Sequence, residues 1–352
     1  MKAEKTFIIL TPGFPESESD TTCLPMHQQF VITLKELHPD MTIIVLSFQF
    51  PYHDNVYSWF GIKVIPFGGK NKGWLTKLIL RRRIQSTLEE IHESNKIIGL
   101  FSLWYNECAW AGKKFAGKYG IKHLCWILGQ DAKKENKYPG SIIPKPGELI
   151  ALSDFIQDEF EKNHDVRPQF VVPPGIDIKQ FKNFSNEKDI DILGTGSLIP
   201  LKQYDIFLEI AEGIKKEIPS IKIMLAGEGP EKERLESFII KMGLQNNITL
   251  TGELPHPQVI ELMQRTKVFL HTSSYEGFGV VCLEALYGGA HVISFCKPMK
   301  KNIEHWQIAK NKDEMKWGAL KTLQDQTHDY KGTAVFSIGD TVKQVMSLFD
   351  IH

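Results

Sequence analysis

The chain has 352 residues, too many for one ordinary core, so two domains are expected. Its 42 basic and 42 acidic residues cancel, which argues against a whole-molecule field that gathers nucleic acid. Five widely spaced cysteines with no CxxC pair argue against a disulfide framework or structural zinc and fit a reducing compartment.

The N-terminal MKAEKTFIILTPGFP holds one short apolar run, which reads as a buried strand over 6–10 and not as a signal peptide. No stretch of about 18 apolar residues occurs, so nothing is expected to span a membrane, and a cytoplasmic chain is expected. A helix is predicted over 23–38, then strands over 41–48, 97–102 and 123–128, with a helix in NECAWAGKKFAGKYG between the last two. ELIALS at 148–153 begins another strand–helix step, with Ser153 as N-cap of DFIQDEFEKNH. Continuous apolar strands separated by helices indicate a parallel sheet covered on both faces.

The segment 170–189, rich in proline, asparagine and charge, reads as an interdomain crossing. Strand–helix alternation then restarts: DIDILGTGS (189–197), QYDIFLEIAEGIKKEI, IKIMLAGEGP, EKERLESFIIKMG, ITLTG, HPQVIELMQRT, KVFLHTS and HVISF (291–295). The expected class is therefore α/β, with two doubly wound parallel-sheet domains facing a cleft: 1–178, and 186–335. The amphipathic helix at 338–350, with Asp340 or Thr341 as cap, completes the chain.

The densest signal is SSYEGFGVVCLEALYGGAHVIS (273–294). A strand ends, a loop carries Glu276, and Gly277 and Gly279 permit backbone conformations closed to other residues. The helix that follows offers free N–H groups and a positive dipole end to a phosphate. Glu284 lies little more than a turn into it, within reach of a ribose diol, while Glu276 can accept hydrogen bonds from a sugar. One extended ligand with sugar, phosphate and ribose parts accounts for the pattern. An exposed Glu beside a helix N-terminus is the structural alternative for each acid taken alone.

Together with GTGSLIPLKQYDIFLEIA (194–211), LAGEGPEKERLE (225–236), LSDFIQDEF and VVPPGID, this stretch resembles the retaining glycosyltransferases of family 4, or group 1, which have the GT-B fold of two Rossmann-like domains. The resemblance covers most of 150–295. It implies a nucleotide diphosphate sugar as donor substrate, no further cofactor, no metal, and a glycan or lipid-linked acceptor, in cell-surface polysaccharide synthesis. It implies that Lys202 neutralises the donor diphosphate and that Glu276 stands by the donor sugar. Gly196, Ser197, Gly277, Phe278, Gly279, Val280 and Glu284 would complete the donor site. Gly13 would bring a loop of the N-terminal domain to the diphosphate. Arginine is common in the family where Ser197 stands, and a histidine where Leu128 stands; Gln130 and Asp131 are the nearest polar groups to line a cleft there. The last helix is expected to cross back to the first domain.

Two further features stand apart. Asp189 and Asp191 imitate a metal-binding DxD, but they open a buried strand at the end away from the chemistry. KGWLTKLILRRRIQ (72–85) is basic and apolar, in a region (57–122) with 12 basic against 4 acidic residues. Trp74, Leu75, Leu78 and Ile79 share one helical face, which suits peripheral contact with an anionic bilayer; a domain helix with a core stripe and a solvated basic face is the alternative. Three other functions compete with glycosyl transfer: a nucleotide-sugar epimerase, which would turn over donor without acceptor; a non-catalytic nucleotide-sugar binder; and a dinucleotide oxidoreductase, against which GTGSLI lacks the third glycine.

Overall fold

The apolar runs of the first half form strands β1 (Lys5–Gly13), β2 (Thr42–Phe50), β3 (Tyr57–Trp59), β4 (Ile62–Pro66), β5 (Lys96–Leu103), β6 (His123–Ile127), β7 (Leu149–Ala151) and β8 (Phe170–Val171) in the computed structural model. It describes residues 5–70, 73–181, 187–325, 327, 330–333 and 335–351. Residues 182–186 of the expected crossing, and Lys72 of the basic stretch, lie outside the described residues. The strands order as β3-β4-β2-β1-β5-β6-β7-β8, parallel apart from β3. Sequence periodicity missed β3 and β4. They are three and five residues long and form a hairpin at the sheet edge. Phe60 (φ 46°) and Gly61 (φ 73°) make its two-residue turn, with both φ values positive as a type I′ turn requires.

The helices of this unit are α1 (Pro25–Leu37), α2 (Trp74–Ser94), α3 (Glu107–Tyr119), α4 (Tyr138–Ile142) and α5 (Asp154–His164). Ser153 caps α5, its hydroxyl accepting from Ile156 N at 3.1 Å. In α2 the buried stripe is Leu80, Ile84, Leu88 and Ile91, at helical spacing. Leu75, Leu78 and Ile79 fall off that stripe and are 59%, 44% and 59% exposed.

The second unit alternates β9 (Ile190–Thr195), α6 (Tyr204–Lys215), β10 (Ile223–Ala226), α7 (Lys232–Lys241), β11 (Ile248–Gly252), α8 (His256–Gln264), β12 (Thr266–His271), α9 (Val280–Tyr287), β13 (His291–Ser294), β14 (Trp306–Ile308) and α10 (Lys312–Gln324). Its six strands are all parallel, in the order β11-β10-β9-β12-β13-β14. Ile192, Phe207, Leu208, Ala211, Val268 and Met315 are among the residues that close its core without solvent exposure.

The division into two compact units falls between Pro174 and Gly175, four residues before the expected end at 178. Ile338–His352, with α11 (Ile338–Ser347), belongs to the first unit. Val342 and Val345 are fully buried, and Phe349 meets Phe7 edge-on with ring centres 4.9 Å apart. Neither Asp340 nor Thr341 is an N-cap: both lie within the first turn, and Thr341 Oγ1 donates to Pro173 O at 2.9 Å.

Candidate functional site

In the second sheet β9 pairs with β12, Thr266 beside Ile190 and Val268 beside Ile192. The order reverses there: β10 and β11 lie on one side of β9, β12 to β14 on the other. The loops leaving the carboxyl ends of β9 and β12 therefore emerge side by side, at the kind of switch point where open parallel sheets bind ligands.

The β9 loop is shaped by glycine. Gly196 (φ 141°) donates its N–H to Ala226 O at 3.0 Å, and Gly227 (φ 151°) crosses so closely that a Cβ there would lie 2.0 Å from Gly196 O. The chain passes exposed Ser197, turns through Pro200–Lys202, and enters α6 by way of Gln203 (φ 50°). Ser274 N donates to Leu201 O at 3.0 Å and Thr272 Oγ1 to Lys202 O at 2.7 Å, which ties this turn to the loop after β12.

That tie brings Lys202 Nζ onto Glu276 Oε1 in an ion pair, with both side chains about one-fifth exposed. Ser273 Oγ donates to the same oxygen at 3.2 Å, and His271 Nε2 stands 3.4 Å from it. Burial pushes the His271 pKa down to about 4, with Glu276 raising it and Lys202 lowering it in smaller measure, so the ring is neutral near pH 7. Gly279 (φ 80°) is the N-cap of α9 and no side chain caps that end. A helix start without a side-chain cap, three residues after Glu276, is where an anion is stabilised by first-turn N–H groups.

Glu284, on α9, is 8% exposed and pairs with His256 Nε2 at 2.8 Å. Burial lowers the His256 pKa, but the hydrogen bond and charge of Glu284 outweigh it and the net shift is upward. Phe278 is 1% exposed and packs on Trp306 and Phe336, so its ring is core and only its backbone is available to a ligand. Gly277 and Gly279 are buried and Val280 partly so.

The other expected positions fare differently. Gly13 lines a cavity of about 460 Å³ inside the first unit, with Leu24, Phe50, Trp104, Asn106 and Glu107. A Cβ on Gly13 would make only ordinary contacts, the nearest at 3.6 Å, so the site there does not demand glycine. Asp131 does not line a cleft: it is 4% exposed and accepts from Leu128 N at 2.9 Å, closing its own turn. Burial pushes its pKa up to about 7, against the lowering by the backbone N–H groups of Leu128 and Tyr105. Gln130 is exposed. Asp189 is held by Arg265 Nε at 2.8 Å, and Asp191 by Lys267 Nζ at 2.7 Å, so both are committed to ion pairs at the amino end of the strand. No group of three or more His, Cys, Asp or Glu among the described residues is placed to hold a metal.

Sequence reasoning missed His271, Ser273 and His256. The signal for the first two was their position, at the last strand residue and just before the loop acid. His256 carried none, because its partner is 28 residues away on another helix.

Two Rossmann-like units joined in this order define the GT-B fold. Anabaena HepE, solved with UDP and glucose, matches with a TM-score of 0.71 at 17% identity, covering 99% of both chains. TarM matches with a TM-score of 0.68 at 13% identity, again over 99% of each. Residues 175–329, most of the second unit, match the family model of glycosyl transferases group 1. The chain is 28% identical over 187 residues to a poly(ribitol-phosphate) alpha-N-acetylglucosaminyltransferase of Staphylococcus aureus (strain COL), 52% of this chain and 37% of that enzyme. It is 25% identical over 262 residues to an uncharacterized glycosyltransferase of Methanocaldococcus jannaschii, 72% of this chain and 70% of that one. The chain thus spans little more than a third of the staphylococcal enzyme's length.

Proposed function

We propose that the protein is a retaining glycosyltransferase that moves a sugar from a UDP-sugar to a glycan or lipid-linked acceptor. The observation that carries this reading is the Lys202–Glu276 pair at the β9/β12 switch point, beside the uncapped start of α9. A cation and a helix N-terminus suit a diphosphate, and two carboxylates, Glu276 and Glu284, suit the hydroxyls at its two ends. UDP is favoured as the carrier because HepE was solved with UDP and with UDP-glucose, and the staphylococcal relative transfers N-acetylglucosamine.

In this mechanism Lys202 and the α9 amides stabilise charge on the leaving diphosphate without a metal, and the acceptor oxygen attacks from the face the diphosphate leaves. Glu276 orients the donor sugar and Glu284 the ribose. The acceptor is assigned to the first unit, whose cavity at Gly13 joins aromatic Phe50 and Trp104 to polar Asn106. Cell-surface polysaccharide synthesis is the assigned setting. The exposed Leu75, Leu78 and Ile79 on basic α2 are the assigned point of peripheral membrane contact.

The test is calorimetry with UDP, followed by turnover of UDP-N-acetylglucosamine and UDP-glucose. Lys202→Ala and Glu276→Ala are expected to lower donor turnover by roughly 100- to 1,000-fold with the fold intact by circular dichroism. Turnover equal to wild type in both would remove the donor site from this place. Donor consumption that yields an epimer, and no transfer, would favour the epimerase instead.

A further inference from the structure

Glu276 Oε1 is a shared acceptor. Lys202 Nζ occupies it now, Ser273 Oγ donates to it at 3.2 Å, and His271 Nε2 waits at 3.4 Å. His271 is 4% exposed, yet its Nε2 makes no hydrogen bond among the described residues. A buried imidazole nitrogen without a partner is uncommon and calls for an explanation. The ring has little freedom to find one elsewhere. It ends β12, its Nδ1 lies 3.4 Å from Ser273 Oγ, and a Cβ on Gly279 would stand 3.4 Å from Nε2. The groups around it are Glu276 and Ser273 from its own loop, Lys202 from the β9 turn, and the neutral thiol of Cys282 from α9.

On the donor-site reading above, on which this inference rests, the diphosphate recruits the Lys202 ammonium. Glu276 then loses its countercharge while still four-fifths buried, a costly state for a carboxylate. We propose that His271 is a positioning residue that replaces Lys202 on Glu276: when the lysine turns to the diphosphate, the Nε2–H of a neutral His271 donates to Glu276 Oε1 and holds that carboxylate toward the donor sugar. The tautomer follows if the single Ser273 proton turns from Glu276 to Nδ1 as His271 takes its place on the carboxylate, which leaves the ring proton on Nε2. The resting ion pair and the loaded site are thus two arrangements of one three-residue set, with the unpartnered nitrogen serving the second.

The exchange is testable without knowing the acceptor. In full-length protein labelled with ¹⁵N-histidine, Lys202→Met removes the competing ammonium. The His271 signals are expected to move to a hydrogen-bonded Nε2–H form, and its titration to rise by more than about one pH unit. Saturating UDP is expected to shift the wild-type Nε2 signal in the same direction. His271 signals unchanged in Lys202→Met would overturn the exchange. Failure of UDP to bind by calorimetry would instead count against the donor reading, and the Lys202→Met spectrum would still decide this one. In turnover of UDP-N-acetylglucosamine, His271→Phe is expected to lower kcat at least about tenfold with KM within about twofold, and His271→Gln to recover most of it. Equal kcat in wild type and His271→Phe would also overturn the proposal.

Discussion

Gly227 shows how narrowly the donor loop is built. Its φ of 151° and the 2.0 Å approach a Cβ would make to Gly196 O exclude any side chain without moving the β9 loop. Gly227→Ala is expected to cost about 3 kcal/mol, from backbone strain and overpacking together, read as a lower denaturant midpoint at unchanged slope. A midpoint within experimental error of wild type would show that the two loops do not press on each other as described. Lys202 is different in kind. Its side chain is about one-fifth exposed, its carbonyl rather than its ammonium ties it to Thr272, and its removal spares the loop geometry. That is why loss of turnover with retained fold is the expectation for Lys202→Ala.

Helices carry two separate lessons. Ser153 satisfies the first-turn N–H of Ile156, and Ser153→Ala is expected to destabilise by about 1 kcal/mol; a change below a few tenths would mean another group caps α5. Helix α2 is divided by function along its circumference. Arg81 pairs with Glu107 and stacks on Trp110 at 4.3 Å, and Arg83 pairs with Asp54 at 3.1 Å, so these two arginines are committed within the unit. Charge removal there would confuse folding with membrane binding. The exposed apolar residues isolate the effect: Leu75→Ser with Ile79→Ser is expected to lower pelleting with anionic liposomes severalfold at unchanged stability. Equal pelleting would retire α2 as a membrane contact.

At the scale of the molecule, fully buried histidines govern acid stability. Burial pushes His27 and His271 down to about 4 and His123 to about 3, from an unfolded value near ~6.5. Each is neutral in the fold and protonated in the unfolded chain below ~6.5. Their contribution is therefore complete above that pH and is lost as pH falls through the folded values, by up to about 1.4 kcal/mol per pH unit for each. His256 has the opposite sign: its raised pKa stabilises below its unfolded value and fades as pH rises through the folded one. His38 and His164, also lowered by burial, act with these three, while His256 and Asp131, whose carboxyl is raised to about 7 and so adds stability as pH falls below it, act against them; the net expectation is a shallow fall of the denaturant midpoint between about pH 6.5 and 4. A flat midpoint over that range would show that these rings are hydrated in solution. The helix α11 adds a constraint of its own, since the last described residues of the chain complete the core of the first unit through Phe349.

Much of this protein is legible in its residues. Apolar runs, helical periodicity, the Ser153 cap and the glycines at 196 and 279 are local matters, set by neighbours a few positions away, and they appear where periodicity and turn chemistry place them. The edge hairpin β3–β4 escaped because three- and five-residue strands carry too little pattern to register. What tertiary structure alone decided is partnership. Lys202 meets Glu276 across 74 residues because β9 and β12 are neighbours at the switch point, and His256 meets Glu284 because α8 packs on α9. The same holds for Asp131, turned inward onto Leu128, and for His271, whose burial follows from ending a central strand. Spacing along a chain specifies which groups exist and which face they share; the order of strands in a sheet, settled by the packing of whole helices, determines which of them touch.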